Sequence, residues 1–118
     1  MGERPSCGII TTTCSSRTEA DALAQGLVRA RLAACVQRIS ISSVFSWQEK
    51  LQVEDELLLL IKAPVANYHA IEAYICRHHS YEVPEILLVP VQAGLRAYMD
   101  WINDVAGTAE SPGQESNP

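Results

Sequence analysis

The chain has 118 residues, 47% of them hydrophobic and 19% charged, with a formal net charge of -5; this is the size and composition of one domain that can bury its own core. Its nine basic residues are scattered, with only Arg29, Arg31 and Arg38 near one another as a solvated helix face and its exit, which excludes a nucleic-acid partner because a phosphate backbone is held by clustered Lys and Arg. No run approaches the roughly 20 apolar residues of a membrane span, and Met1 to Cys7 lacks the basic and then apolar order of a secretory signal, so no membrane partner and a cytoplasmic location are expected.

Residues 1–6 read as a short N-terminal extension. Residues 7–14, Cys-Gly-Ile-Ile-Thr-Thr-Thr-Cys, are rich in β-branched side chains and end in a polar stop, which predicts a first strand. A helix follows. Ser16 and Glu19 stand at capping-box spacing, in which hydroxyl and carboxylate each satisfy an orphan backbone N–H. Ala20, Leu23, Ala24, Leu27 and Val28 then recur at helical spacing, with Arg17, Asp21, Gln25 and Arg29 opposite.

From Cys35 to Trp47 the apolar Ile39, Ile41, Phe45 and Trp47 alternate with polar neighbours, the period of a half-buried strand, with a bend expected near Ser42-Ser43. Gln48-Glu49-Lys50 is the expected hairpin turn, although it lacks the glycine or asparagine that tight turns prefer. Leu51 to Lys62 starts by alternating and ends in the unbroken run Leu57 to Ile61, which suits a strand buried on both sides, and Pro64 stops it. Tyr68, Ile71 and Ile75 space a second helix that ends near His78 and His79, with Glu72 and Arg77 outside. Residues 86–91 form a fourth strand, and Pro90, which cannot donate to a ladder, puts it at a sheet edge. Leu95, Tyr98, Met99, Ile102 and Ala106 define a short third helix. Residues 107–118 have almost nothing to bury and are expected to be a disordered tail.

The order strand, helix, strand, strand, helix, strand is the split pattern of an α+β, ferredoxin-like βαββαβ sandwich, here with an extra C-terminal helix and spanning residues 7–106. Right-handed crossovers place both main helices on one face. Leu57 to Ile61 and Ile86 to Val89 nevertheless offer apolar side chains to both faces, so the second face calls for a shield outside the chain, most economically another copy of it. The long hairpin adds edges that a neighbour can extend. Cys7, Cys14, Cys35 and Cys76 match neither a zinc-ribbon nor a thioredoxin-type spacing. Cys35 and Cys76 lie in apolar surroundings and are expected to be small buried hydrophobes.

Leu32-Ala33-Ala34-Cys35, Phe45-Ser46-Trp47, Ile61-Lys62, His78-His79-Ser80-Tyr81-Glu82-Val83-Pro84-Glu85 and the closing Tyr98 and Trp101 follow one another at intervals that resemble the CutA divalent-cation tolerance family over about residues 8–106. The resemblance implies a ferredoxin-like homotrimer, topologically like PII-type signalling trimers, that binds divalent metal ions, copper(II) especially, with no established catalytic reaction. Three departures stand out. Ile39-Ser40-Ile41-Ser42 replaces the usual Pro-Gly segment, Glu49 replaces the glycine two residues after the hairpin Trp, and Ser80 replaces the proline after the paired histidines.

Three readings of the site stand side by side. In the first, Cys14, His78 and His79 are metal ligands, since a thiolate and imidazoles suit copper or zinc, and Glu82 or Glu85 completes the shell. Some relatives carry the thiol at the position of Thr12, which in a strand faces the same way as Cys14. Adjacent helical residues point about 100 degrees apart, so the two histidines share an ion only if the helix has ended before His79. In the second, His79, Tyr81 and Glu85 are hydrogen-bonded polar groups at a subunit junction, with Trp47 and Trp101 as packing aromatics. In the third, Lys62, His79, Tyr81 and Glu85 line a small-molecule or anion pocket between subunits. A trimeric signalling or scaffold protein with a protein or small-molecule partner is the alternative function. No nucleophile-base motif or glycine-rich phosphate loop is present, so no enzyme is expected.

Overall fold

The computed structural model describes residues 5–107; apart from Pro5, Ser6 and Gly107, the expected N-terminal extension and tail lie outside the described residues. The elements in chain order are β1 (Cys7–Cys14), α1 (Arg17–Arg29), β2 (Cys35–Trp47), β3 (Lys50–Pro64), a 3-10 turn (Val65–Asn67), α2 (Tyr68–His78), β4 (Leu87–Pro90) and α3 (Arg96–Ala106). One sheet runs β2-β3-β1-β4 with every neighbouring pair antiparallel. This is the βαββαβ order with one helix appended, and β4, with Pro90, is an edge strand as its proline requires.

Alternation along β1 and β3 sorts their side chains. Ile10, Cys14, Leu59, Ile61 and Ala63 turn toward α1 and α2 and pack with Ala20, Leu23, Leu27, Ile71 and Ile75 into the main core. Each fully buried Leu or Ile there contributes about 1.5–3 kcal/mol relative to exposure. Leu58, Leu60 and Lys62 fall on the opposite face, half-buried.

That second face is not bare, which corrects the expectation that its cover comes wholly from outside. α3 lies across one end of it, where Ile102 and Ala106 pack on Cys7 and Ala34 with Val91, Met99 and Val105 beside them, and Lys62 Nζ sits 5.5 Å from the centre of the Tyr98 ring. The rest stays open, with Ile39, Leu87 and Val89 all exposed.

The β2–β3 ladder runs without a break from Cys35 opposite Lys62 to Trp47 opposite Lys50. The bend expected at Ser42-Ser43 therefore does not interrupt pairing, because Asp55 and Glu54 remain their partners. The turn itself is the pair Gln48-Glu49, both with positive φ (53° and 66°), the geometry of a type I′ turn, and Lys50 already belongs to the strand. Beyond the sheet the hairpin projects Val44, Trp47, Leu51 and Val53 at 61–76% exposure.

The cysteine expectation is also corrected. Cys7 and Cys14 are the buried ones, while Cys35 is half-buried and Cys76 exposed, because Cys76 follows the inward Ile75 by one helical step and is carried off the core face. Asn67, silent in the sequence, is fully buried. Its Nδ2 donates to the Leu32 carbonyl at 2.9 Å and the Gly107 carbonyl at 3.1 Å, fastening the end of α3 to the loop after α1.

Candidate functional site

β1 ends at Cys14, α1 begins at Arg17 and α2 ends at His78, and all three termini meet at one end of the sheet. There Cys14 Sγ, a Glu19 carboxylate oxygen and a ring nitrogen of His79 lie within 4.8 Å of one another. α2 stops at His78, and His79 is already extended at φ -89° and ψ 144°. That change of direction separates the paired histidines.

His79 turns inward with its side chain fully enclosed. Its Nε2 lies 2.8 Å from the Thr13 carbonyl oxygen, which can only accept, so the ring proton sits on Nε2. Nδ1 keeps its lone pair, accepts the Tyr81 backbone N–H at 3.0 Å and faces Glu19 Oε2 at 3.4 Å. His78 turns outward. Its Nδ1 donates to the Tyr74 carbonyl at 2.8 Å and its ring stacks on Tyr74 with centroids 4.2 Å apart, leaving the Nε2 lone pair free. The structure thus joins Cys14 to His79 and keeps His78 at the rim.

Glu19 is the residue that sequence reasoning assigned elsewhere. Half of the capping box forms, since Ser16 Oγ accepts the Glu19 backbone N–H at 3.1 Å. The Glu19 carboxylate does not return to Ser16; it accepts from Ser80, through the backbone N–H at 2.7 Å and the hydroxyl at 3.0 Å. Those two donors come from across the chain and outcompete a single local N–H, a contact for which no spacing rule exists.

Burial first, and then the negative charges of Glu19 and Glu56, push the Cys14 thiol up to about 11. Thr12, on the same face, is fully buried with no partner for its hydroxyl. A cleft of ≈ 670 Å³ between the start of α1 and the end of α2 is lined by Ser16, Glu19, Tyr74, Arg77, His78 and His79 among others, so two members of the cluster border it while Cys14 lies buried behind them.

Lys62, Tyr81 and Glu85 serve three different partners. Lys62 is held over Tyr98. The Tyr81 hydroxyl donates to Glu56 Oε2 at 2.8 Å, and burial and that bond push its phenol up to about 12. Glu85 Oε2 accepts from Thr11 Oγ1 at 2.8 Å. Lys62, Thr11 and Glu56 share the sheet face opposite α1 and α2, but no hydrogen bond joins Lys62, Tyr81 and Glu85 to one another. Glu82 is exposed and lies outside the Cys14-Glu19-His79 group.

Residues 8–105 match the family described as CutA1 divalent ion tolerance protein. The chain belongs to that family. It is 38% identical over 94 residues to Protein CutA homolog of Xenopus laevis, covering 79% of this chain but 62% of the relative. It is 34% identical over 106 residues to Divalent-cation tolerance protein CutA of Pectobacterium atrosepticum, covering 87% of this chain and 96% of the relative. Among solved structures, the periplasmic divalent cation tolerance protein CutA from Archaeoglobus fulgidus superposes with a TM-score of 0.83 at 30% identity, over 85% of this chain and 98% of that one. The matched region takes in Cys14, the paired histidines and Ser80, which captures Glu19.

Proposed function

We propose that this chain is a divalent metal ion tolerance protein that binds copper(II), or zinc, in the cleft between α1 and α2, as a homotrimer. The observation that carries the reading is the convergence of Cys14 Sγ, the Glu19 carboxylate and the His79 ring within 4.8 Å. Sulfur, nitrogen and oxygen donors together suit copper or zinc over calcium or magnesium, and copper(II) heads the affinity order for such sites. The donor set fits in a second respect: Nε2–H on the Thr13 carbonyl, with Nδ1 facing Glu19 and held by the Tyr81 amide, is the outer arrangement that orients a ligating histidine. When bound, the ion would be held by Cys14, Glu19 and His79, with His78 Nε2 at the mouth of the cleft. Its tie to the chain is then one of affinity and charge neutralisation, with no catalytic step.

The trimer rests on two features. Leu87, Val89, Ile39 and the hairpin residues leave apolar area uncovered, and β2 and β4 are both unpaired edges at opposite sides of the sheet. Edge-to-edge pairing between copies is heterologous and closes into a ring when the rotation allows. A cytoplasmic location belongs to the same proposal, supported by four free cysteines. Among the described residues no helix is long and apolar enough to cross a membrane.

Copper(II) titrated into tag-free protein should bind saturably, and a Cys14→Ser, His79→Ala double variant should lose that binding; isotherms that ignore both substitutions would remove the metal site. Light scattering should give three times the 12.9 kDa chain mass. A monomer at micromolar concentration would remove the assembly.

A second reading is favoured by the polar groups of the open face, where Lys62, Glu56 with Tyr81, and Glu85 with Thr11 are spaced around uncovered apolar surface. Here a small molecule or protein partner docks between subunits. Thermal shifts against metabolite and metal panels separate the two, a response to metabolite alone supporting the second.

A further inference from the structure

Tyr81 holds two partners with two different groups. Its backbone N–H donates to His79 Nδ1 at 3.0 Å, and its hydroxyl donates to Glu56 Oε2 at 2.8 Å. Glu56 Oε1 in turn accepts from Ser43 Oγ at 2.8 Å, so the phenol is anchored to both strands at the base of the hairpin. Ser43 and Glu56 lie on the sheet face opposite α1 and α2, the face α3 covers at one end alone.

The proton count at His79 makes this chain of contacts competitive. Nε2 carries the proton toward the Thr13 carbonyl, so Nδ1 has a single lone pair, and that lone pair is already given to the Tyr81 N–H. It is also the one nitrogen facing Glu19, 3.4 Å away. Whatever takes Nδ1 as a ligand must first detach the Tyr81 amide.

We infer that the Tyr81 amide and a divalent ion compete for the Nδ1 lone pair of His79, so that ion binding in the cleft loosens Tyr81 from Glu56 and is felt on the open sheet face. This rests on the ion reading given above and adds its regulation. The coupling is negative and reciprocal: whatever strengthens the Tyr81–Glu56 bond weakens the ion, and by the same factor the ion weakens that bond. Three consecutive residues of the loop after α2 carry it, His79 bonded to Thr13 of β1, Ser80 to Glu19 of α1 and Tyr81 to Glu56 of β3. Occupancy of a cleft on the helical side thereby reaches the surface where a second copy or a partner would dock.

The test uses zinc(II), which is diamagnetic, titrated calorimetrically into the wild-type chain, Tyr81→Phe and His79→Ala, with the backbone amide resonance of Tyr81 followed in the wild type. Tyr81→Phe keeps the ring and loses the bond to Glu56, and should bind zinc roughly fivefold or more tightly than wild type. The Tyr81 amide resonance should move in step with saturation. Equal affinities and a stationary Tyr81 amide, with binding still abolished by His79→Ala, would overturn the coupling and leave the ion site standing. If His79→Ala binds zinc as wild type does, the ion site and the coupling both fall. Should Tyr81→Phe fail to fold, the wild-type amide resonance decides alone.

Discussion

Glu19 accepts two hydrogen bonds from Ser80, one from the backbone N–H at 2.7 Å and one from the hydroxyl at 3.0 Å. A carboxylate in the first turn of α1 is thereby spent on the residue that follows His79, and the loop after α2 is latched to α1. A proline at this place would offer neither donor.

Ser80→Pro should therefore lower stability by about 1–3 kcal/mol, since a half-buried carboxylate loses both donors. It should also strengthen copper(II) binding by releasing Glu19. Urea midpoints and copper titrations on the same preparation check both signs, and an unchanged midpoint would show that the latch carries no load.

Cys14 gives a pH dependence with a definite sign. Its thiol is raised from an ordinary 9.0 to about 11, chiefly by burial and then by Glu19 and Glu56. A group whose folded value lies above its unfolded one stabilises the fold fully below the unfolded value, and that stability is lost as pH rises through the folded value. Wild type should lose roughly 2–3 kcal/mol of stability between pH 9 and 11 through this group, a loss missing from Cys14→Ala. The phenol of Tyr81, pushed to about 12, adds a further loss at still higher pH in both chains. At pH 8 iodoacetamide should label the exposed Cys76 well before Cys14; equal labelling would contradict the burial.

The two histidines should separate in a metal titration. His79→Ala is expected to abolish saturable copper(II) binding, since it removes the enclosed imidazole of the Cys14, Glu19 and His79 group. His78→Ala, which removes a rim imidazole stacked on Tyr74, should cost less than His79→Ala. The opposite order would move the site out to the rim.

The hairpin tip holds Gln48 and Glu49 at φ 53° and 66°, a conformation that costs a non-glycine residue about 1–2 kcal/mol. Glu49→Gly should raise stability by about 1 kcal/mol through relief of that strain, read as a higher midpoint of thermal unfolding. A lower midpoint would mean that the Glu49 side chain supplies a contact worth more than the strain.

The secondary structure was legible because it is written in local period. β1 falls on its β-branched run and β2 on the residues its alternation marks, α1 starts at the Ser16 cap, and Pro90 alone places β4 at an edge. The β3 run Leu57 to Ile61 was also legible as two-faced, though the sequence did not say that α3 returns over one of those faces. That return gathers Cys7, Ala34, Ile102 and Ala106 into one buried cluster, and meetings between distant positions leave no periodic trace.

The site was half legible. Chemistry alone names Cys14, His78 and His79 together, because adjacent letters do not reveal that α2 ends between the two rings. Glu19 was read as a cap because a cap is the partner a local rule can supply; its actual partner, Ser80, is 61 residues away.

By itself, then, the order of residues determined the elements, their faces, the split βαββαβ sequence and the family. Tertiary structure alone decided which distant residue Glu19 holds, which histidine is inside and what covers one end of the second face. Local backbone preferences act over a few residues and repeat, so they can be read in one dimension; a hydrogen bond across the fold forms only after packing has set the distance.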